Sequence, residues 1–147
     1  MKTLTKAIIV DLDGTLCNVD HRLHFVRDKR KNWNKFFLEL VNDPINVWCH
    51  EIIKRFSDYQ ILLVSGRPED HRDITEQWLE EKGIEYKSLH MRKTGDFRKD
   101  DIVKTEIYNS FIKDNYDVLF TIDDRKQVVD MWRSLGLVCL QCAEGNF

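Results

Sequence analysis

The stretch Ala7-Ile8-Ile9-Val10-Asp11-Leu12-Asp13-Gly14-Thr15 decides how this chain is read. Its first four residues are apolar and mostly β-branched, too short a run for a helix and suited to a buried strand. Asp11 and Asp13 then leave the strand end on the same side, two residues apart, and Gly14 lets the chain turn away sharply. Taken alone, the segment fits a strand-ending turn with solvated acids as well as it fits a reactive site.

Similar runs recur along the chain. Residues 61–64 repeat the apolar pattern and lead into Ser65-Gly66-Arg67-Pro68, and residues 118–122 lead straight into Asp123-Asp124. Residues 84–90 form a weaker, alternating candidate, and residues 138–140 follow Gly136. Helical patterns lie between them. Residues 33–41 are amphipathic and stop before Pro44, and residues 47–56 set Ile52, Ile53 and Phe56 on one side. Pro68 suits a first helical turn, with Glu69 and Asp70 near its positive end, and that helix runs to Gly83. Asp100 fits the N-cap of a helix whose stripe is Val103, Ile107 and Phe111, and residues 127–135 end at the C-cap Gly136. The alternation predicts a single α/β domain over residues 1–147, a Rossmannoid parallel sheet with helices on both faces. In such sheets ligands bind beyond the carboxyl ends of the strands.

A chain of 147 residues can bury a core without disulfides or a structural metal. Charged residues make up 33% of it, mixed in sign and summing to −2, which argues against disorder and against nucleic-acid binding by bulk charge alone. A local basic groove stays open. Cys139 and Cys142 form a lone C-x-x-C without a second ligand pair, and with Cys17 and Cys49 they read as ordinary thiols. Residues 1–6 carry no signal-peptide hydrophobic region, and no apolar stretch is long enough to span a membrane, so the expected location is a reducing cytoplasm.

Asp123-Asp124 changes the weight of the first motif. Four carboxylates, from Asp11, Asp13, Asp123 and Asp124, are expected to meet at one sheet edge, where they repel without a cation. Oxygen ligands beside a phosphate favour Mg²⁺. Ser65, Gly66 and Arg67 offer a hydroxyl and a backbone N–H at a helix opening, an anion site. Lys104 lies one turn into the helix that starts at Asp100, either paired with Asp100 on a solvated face or turned to the site. Together these parts make a phosphoryl-transfer site. Asp11 becomes an effective nucleophile once cations hold the phosphate in line, and Asp13 is placed to protonate the leaving oxygen.

Asp11-Leu12-Asp13-Gly14-Thr15, Ser65, Lys104 and Asp123-Asp124 resemble, in order, the four motifs of the haloacid dehalogenase superfamily. That resemblance implies Asp11 as nucleophile, Asp13 as acid/base steadied by Thr15, Ser65 on the phosphate and Lys104 neutralising charge. It also implies Mg²⁺ on Asp11, the Asp13 carbonyl and Asp123, with Asp124 in support. The C-terminal half, from Met91-Arg92-Lys93 through residues 98–104 and 122–133 to Gly145-Asn146-Phe147, is similar to the phosphatase domain of phage polynucleotide kinase/3′-phosphatases. The further site residues of that family fall on Arg22, Arg67, Arg92 and Asp100.

No G-x-x-x-x-G-K-[ST] phosphate loop is present in these residues, so the kinase half of that family is not expected here. A small helical cap is expected at about 18–46, leaving the site open and governing substrate choice. Two basic stretches, Arg27, Lys29, Arg30, Lys31 and Lys35, and Lys87, Arg92, Lys93, Arg98 and Lys99, are either solvated faces or phosphate contacts, and Trp33 is either core or a base-stacking residue. The expected substrate is a 3′-phosphate on a nucleic-acid end, with a separate kinase or ligase as partner. A nucleotide or other small-molecule phosphatase is the alternative, and a non-catalytic nucleic-acid-binding subunit the rival from another class.

Overall fold

β1 (Thr5–Val10) sends its side chains alternately into two apolar layers, Ile8 and Val10 into one and Ala7 and Ile9 into the other. Neither face meets water, so this strand reads as a continuous apolar run instead of an alternation. The computed structural model describes residues 3–27 and 29–147. β2 (Gln60–Pro68) and β4 (Tyr116–Asp123) flank β1, with β3 (Ser88–Arg92) beyond β2 and β5 (Cys139–Gln141) beyond β4. Every pairing is parallel.

The segment after β1 carries α1 (His24–Arg27), α2 (Trp33–Leu38) and two 3-10 turns, Asp20–Arg22 and Glu39–Asn42, before α3 (Val47–Arg55). Asn32 caps α2, its side chain accepting the Lys35 N–H at 3.1 Å. Val26, Phe36 and Leu40 of this cover are buried in the same core as Cys49 and Ile53 of α3 and Trp78 and Leu79 of α4 (Arg72–Glu81). The cover is therefore welded to the sheet. The other face is packed by α5 (Asp100–Ile107) and α6 (Lys126–Ser134) through Val103, Ile107, Val128, Val129 and Trp132. Cys139 joins this second core and Cys142 packs on the first, so the C-x-x-C straddles the sheet.

Four local expectations are corrected. Pro68 does not open a helix: β2 continues to it, and a 3-10 turn over Glu69–His71 precedes α4. The third strand lies later than residues 84–90, because Ile84 is spent closing α4, its N–H donating to the Leu79 carbonyl after Gly83 at φ 69°. Asp100 is the first residue of α5 rather than its cap, a place taken by Lys99. Phe111 does not continue the buried stripe. A π-helical turn over Tyr108–Ile112 inserts one residue, so Ile112 is buried and Phe111 is 56% exposed, stacked on His90.

The strand order reverses at β1. From it the chain steps outward to β2 and β3, and the remaining strands fill the other side. This switch point opens a crevice at the carboxyl ends of β1 and β4. Val10 pairs with Ile122, and the Asp11 N–H donates to the Ile122 carbonyl at 3.1 Å, which sets Asp11 beside Asp123.

Candidate active site

Three of the four expected carboxylates meet. Oxygens of Asp11, Asp123 and Asp124 lie within 4.8 Å of one another, all buried. Lys104, 2% exposed, reaches in from α5 and donates to Asp11 Oδ1 and Asp123 Oδ2, each at 2.9 Å. This overturns the solvated pair with Asp100. Asp123 Oδ2 also accepts from the Trp132 indole at 3.3 Å, and Asp123 Oδ1 from the Asp124 N–H at 3.0 Å. Burial, then the Asp123 charge, pushes the Asp11 carboxyl well above its ordinary range against the pull of Lys104. The same two causes raise Asp124 to about 7. Burial opposes the Lys104 charge, yet Asp11 and Asp123 outweigh it and hold the ammonium well above its usual range. Gly14 sits at φ 83°, and a Cβ there would meet Asp124 Oδ2 at 2.1 Å, so only glycine lets this carboxylate approach the loop.

Asp13 turns the other way. Its Oδ1 accepts from Arg22 Nη2 and Arg67 Nη2, both at 2.6 Å, and from Arg67 Nε at 3.1 Å. Among the described residues its Oδ2 meets only Arg67 Nε, at 3.3 Å. Behind both arginines lies Asp43, which accepts from Arg22 Nε at 2.8 Å and Nη2 at 2.6 Å and lies 3.6 Å from Arg67 Nη2. Arg67 is further fixed by donating to Thr75 Oγ1 at 3.1 Å, and His21 Nε2 stands 2.6 Å from Asp43 Oδ1. Burial works against the Asp13 charge, but Arg67 and then Arg22 outweigh it and hold the carboxyl far below the usual range.

These contacts revise several roles implied by resemblance. Thr15 donates to Asp11 Oδ2 at 3.0 Å, not to Asp13. Arg22 and Arg67 are fully buried behind Asp13, whereas the cleft itself is lined by Asp11, Asp13, Gly66, Arg92, Asp100, Lys104, Asp123 and Asp124. Ser65 is buried, and its hydroxyl oxygen accepts the Arg67 N–H at 3.1 Å. Sequence reasoning missed Asp43, a single acid before Pro44 with no spacing signal. Two buried arginines do demand such a partner.

A third ionic chain borders the cleft. Arg92 donates to the Gly66 carbonyl at 2.9 Å, to the Asp96 carbonyl at 3.1 Å and to Asp100 Oδ1, while Arg125 Nη1 donates to Asp100 Oδ2 at 2.8 Å. A Cβ on Gly66 would meet Asp100 Oδ1 at 2.6 Å. Arg92 therefore lines the cleft while its guanidinium is engaged by Gly66, Asp96 and Asp100. Arg125, absent from the expected site, stacks its guanidinium over Phe147 at 5.0 Å. Arg98 is also paired, with Asp96 and Glu106, so Lys87, Lys93 and Lys99 are the cations of that stretch without an ion pair among the described residues.

The cleft has a volume of about 710 Å³, with Trp33, Phe36 and Phe37 of the cover forming one wall. Trp33 is 37% exposed and stacked on Phe37 at 5.9 Å, so it belongs to the cleft wall and not to the core. No helix among the described residues is long and apolar enough to cross a membrane.

Comparison with known proteins places these features. The family model for the polynucleotide kinase PNKP phosphatase domain matches residues 5–147. A candidate bifunctional polynucleotide kinase/RNA ligase of Autographa californica nuclear polyhedrosis virus is 31% identical over 134 residues, 90% of this chain and 18% of its own length. A chain in the structure of the Pnkp1/Rnl/Hen1 RNA repair complex superposes with a TM-score of 0.85 at 39% identity, over 98% of this chain and 44% of that one. A second structure of a Pnkp1/Rnl/Hen1 complex gives a TM-score of 0.84 at 38% identity, over 100% and 49%. The class C acid phosphatase of Bacillus anthracis, solved with tungstate, shares the fold at a TM-score of 0.69 and 15% identity, over 99% and 69%. The chain spans less than half the length of the viral relative and of the matched chains in the repair complexes. It belongs to the PNKP phosphatase domain family and is a phosphatase of the haloacid dehalogenase type.

Proposed function

We propose that this chain removes the phosphate from 3′ ends of nucleic-acid strands by way of a phosphoryl-aspartate on Asp11, with Mg²⁺ as cofactor. The observation that carries the chemistry is the uncompensated charge on the cleft floor, three buried carboxylates against one lysine. Such a set fits a hard divalent cation, with Asp11, Asp123 and Asp124 as the side chains that would hold it. Bound there, Mg²⁺ supplies charge neutralisation for the carboxylates and the phosphate.

Asp11 is oriented by two donors, Lys104 on Oδ1 and Thr15 on Oδ2. Its carboxylate attacks phosphorus, the bond from phosphorus to the 3′ oxygen breaks, and that oxygen takes a proton from Asp13. Water then gives a proton back to Asp13 and attacks the phosphoryl group, releasing phosphate and restoring Asp11. In the free protein Arg67 and then Arg22 outweigh burial and hold the Asp13 carboxyl far below its usual range. An arriving phosphate adds negative charge beside it and draws the carboxyl upward, toward the protonated form that the leaving oxygen needs. Oδ2, which meets only the long contact to Arg67, is the oxygen left to carry the proton.

The nucleic-acid end is supported by the family and by the relatives named for polynucleotide kinase, RNA ligase and RNA repair. Lys99 in the cleft lining, with Lys93 earlier on the same loop, supports contacts to further backbone phosphates. A kinase or ligase working on the same strand end is the expected partner. The test is phosphate release from 3′-phosphorylated oligonucleotides, 5′-phosphorylated oligonucleotides and mononucleotides, with and without Mg²⁺. The 3′-phosphorylated oligonucleotide should lead in kcat/KM, with nothing released after chelation. Preference for mononucleotides would replace this reading with a small-molecule phosphatase, and full activity after chelation would remove the metal.

A further inference from the structure

Phe97 is the most exposed large apolar side chain among the described residues, 95% open to solvent. The chain has eight phenylalanines, and the other seven each lie against another aromatic ring, while Phe97 has no ring partner among the described residues. Water around a whole phenyl ring is unfavourable, and a mobile loop would fold the ring down onto the surface. This loop is braced against doing so. Arg92 donates to the carbonyls of Asp96 and Arg98, on either side of Phe97. Asp96 Oδ1 accepts the Arg98 N–H at 3.1 Å, and Arg98 is locked to Glu106 at 2.6 and 2.7 Å. Thr94 donates to Asp70 at 2.6 Å, and Gly95 takes the φ of 83° that the turn needs.

The braced ring lines the same cleft as Asp11, Asp13 and Lys104, and Trp33 is part of the same lining. Lys99 lines the cleft as well, and Lys93 lies four residues before Phe97 in the chain, both without an ion pair among the described residues. A braced aromatic face in the same cleft as Lys99 and a phosphate-handling floor matches one ligand chemistry, a planar base attached to a phosphodiester backbone. We propose that Phe97 is the stacking surface for a base of the bound strand end, an inference that rests on the nucleic-acid reading of the site. Every base has a π-face, so the contact is tolerant of sequence. It requires an unstacked base and therefore favours a single-stranded or frayed end.

The experiment compares three substrates, namely a 3′-phosphorylated oligonucleotide, the same strand with its last two nucleotides abasic, and glycerol phosphate. In Phe97→Ala the ratio of kcat/KM for the base-bearing strand over its abasic counterpart should fall about tenfold, mainly through KM, and Phe97→Trp should restore it. Binding is read separately in the inactive Asp11→Asn background with 2-aminopurine at the 3′ end. Quenching of its fluorescence should be seen with Phe97 and lost with Phe97→Ala. An unchanged ratio and unchanged quenching in Phe97→Ala overturn the stacking role while leaving the 3′-end function standing. If wild-type protein handles glycerol phosphate as well as it handles the base-bearing strand, the functional reading itself falls, and the inference with it.

Discussion

Among the described residues, Asp11, Asp123 and Asp124 share a single cation, Lys104, whereas Asp13 and Asp43 are matched one for one by Arg22 and Arg67. Both clusters are buried and both touch the same loop after β1. In the first, burial and the neighbouring Asp123 charge raise the Asp11 and Asp124 carboxyls, so the site favours something positive from outside. In the second, the charges close on themselves and the Asp13 carboxyl is held far below its ordinary range. The imbalance marks where the chemistry enters, and the balance marks the scaffold that aims one carboxylate at it.

The largest expected effect comes from Asp11→Asn. Phosphate release should drop to background, because an amide does not attack phosphorus, while circular dichroism stays native. The melting temperature should hold or rise, since the change removes a charge from the deficient cluster. A folded Asp11→Asn protein with substantial turnover would end the aspartyl-phosphate mechanism.

Asp43→Ala should behave in the opposite way. It breaks the balanced cluster and leaves Arg22 and Arg67 with a single acid between them, at a cost of about 3–5 kcal/mol of stability. Denaturant unfolding measures this, and turnover should fall too as Asp13 loses its fixed aim. A melt like that of wild type would mean that water, not Asp43, satisfies the arginines.

Mg²⁺ sharpens the contrast further. Saturation at one hundred times its Kd stabilises by about 2.7 kcal/mol, read as a rise in melting temperature. Asp123→Asn should remove most of that rise, and chelation should lower the melt without unfolding the chain. An equal shift in Asp123→Asn would place the ion elsewhere.

The smallest effect is reserved for the unpaired cations. Lys93→Ala with Lys99→Ala should raise KM for oligonucleotides several-fold and flatten the salt dependence by about 0.7 in log–log slope per lost contact. Mononucleotide turnover serves as the control. Arg92 does not belong in this pair, because its guanidinium is consumed by Gly66, Asp96 and Asp100, and replacing it would disturb the loop instead.

Much of this was legible in the chain. A buried parallel strand must be an apolar run, and the polar residues that end such runs share one sheet edge, so the positions of Asp11, Ser65 and Asp123 at that edge were readable from the sequence. Lys104 was readable as a site candidate one turn into its helix, beside the rival of a solvated pair with Asp100, though not the carboxylates it would choose. Phe111 shows the limit of periodicity, since one π-turn hands its buried place to Ile112.

By itself, then, the sequence determined the sheet, its order of alternation and the edge that bears the acids, because these depend on local patterns of apolar side chains. Only the tertiary structure decided who pairs with whom. Thr15 serves Asp11, Arg22 and Arg67 stand behind Asp13, and Asp43 closes the set from 21 residues beyond Arg22. The exposed Phe97 is equally invisible in sequence, where it reads as one more apolar residue. Ion pairs and ring exposure depend on distances of a few ångströms between distant segments, and a formal charge or a phenyl ring carries no mark of the partner that packing will bring to it.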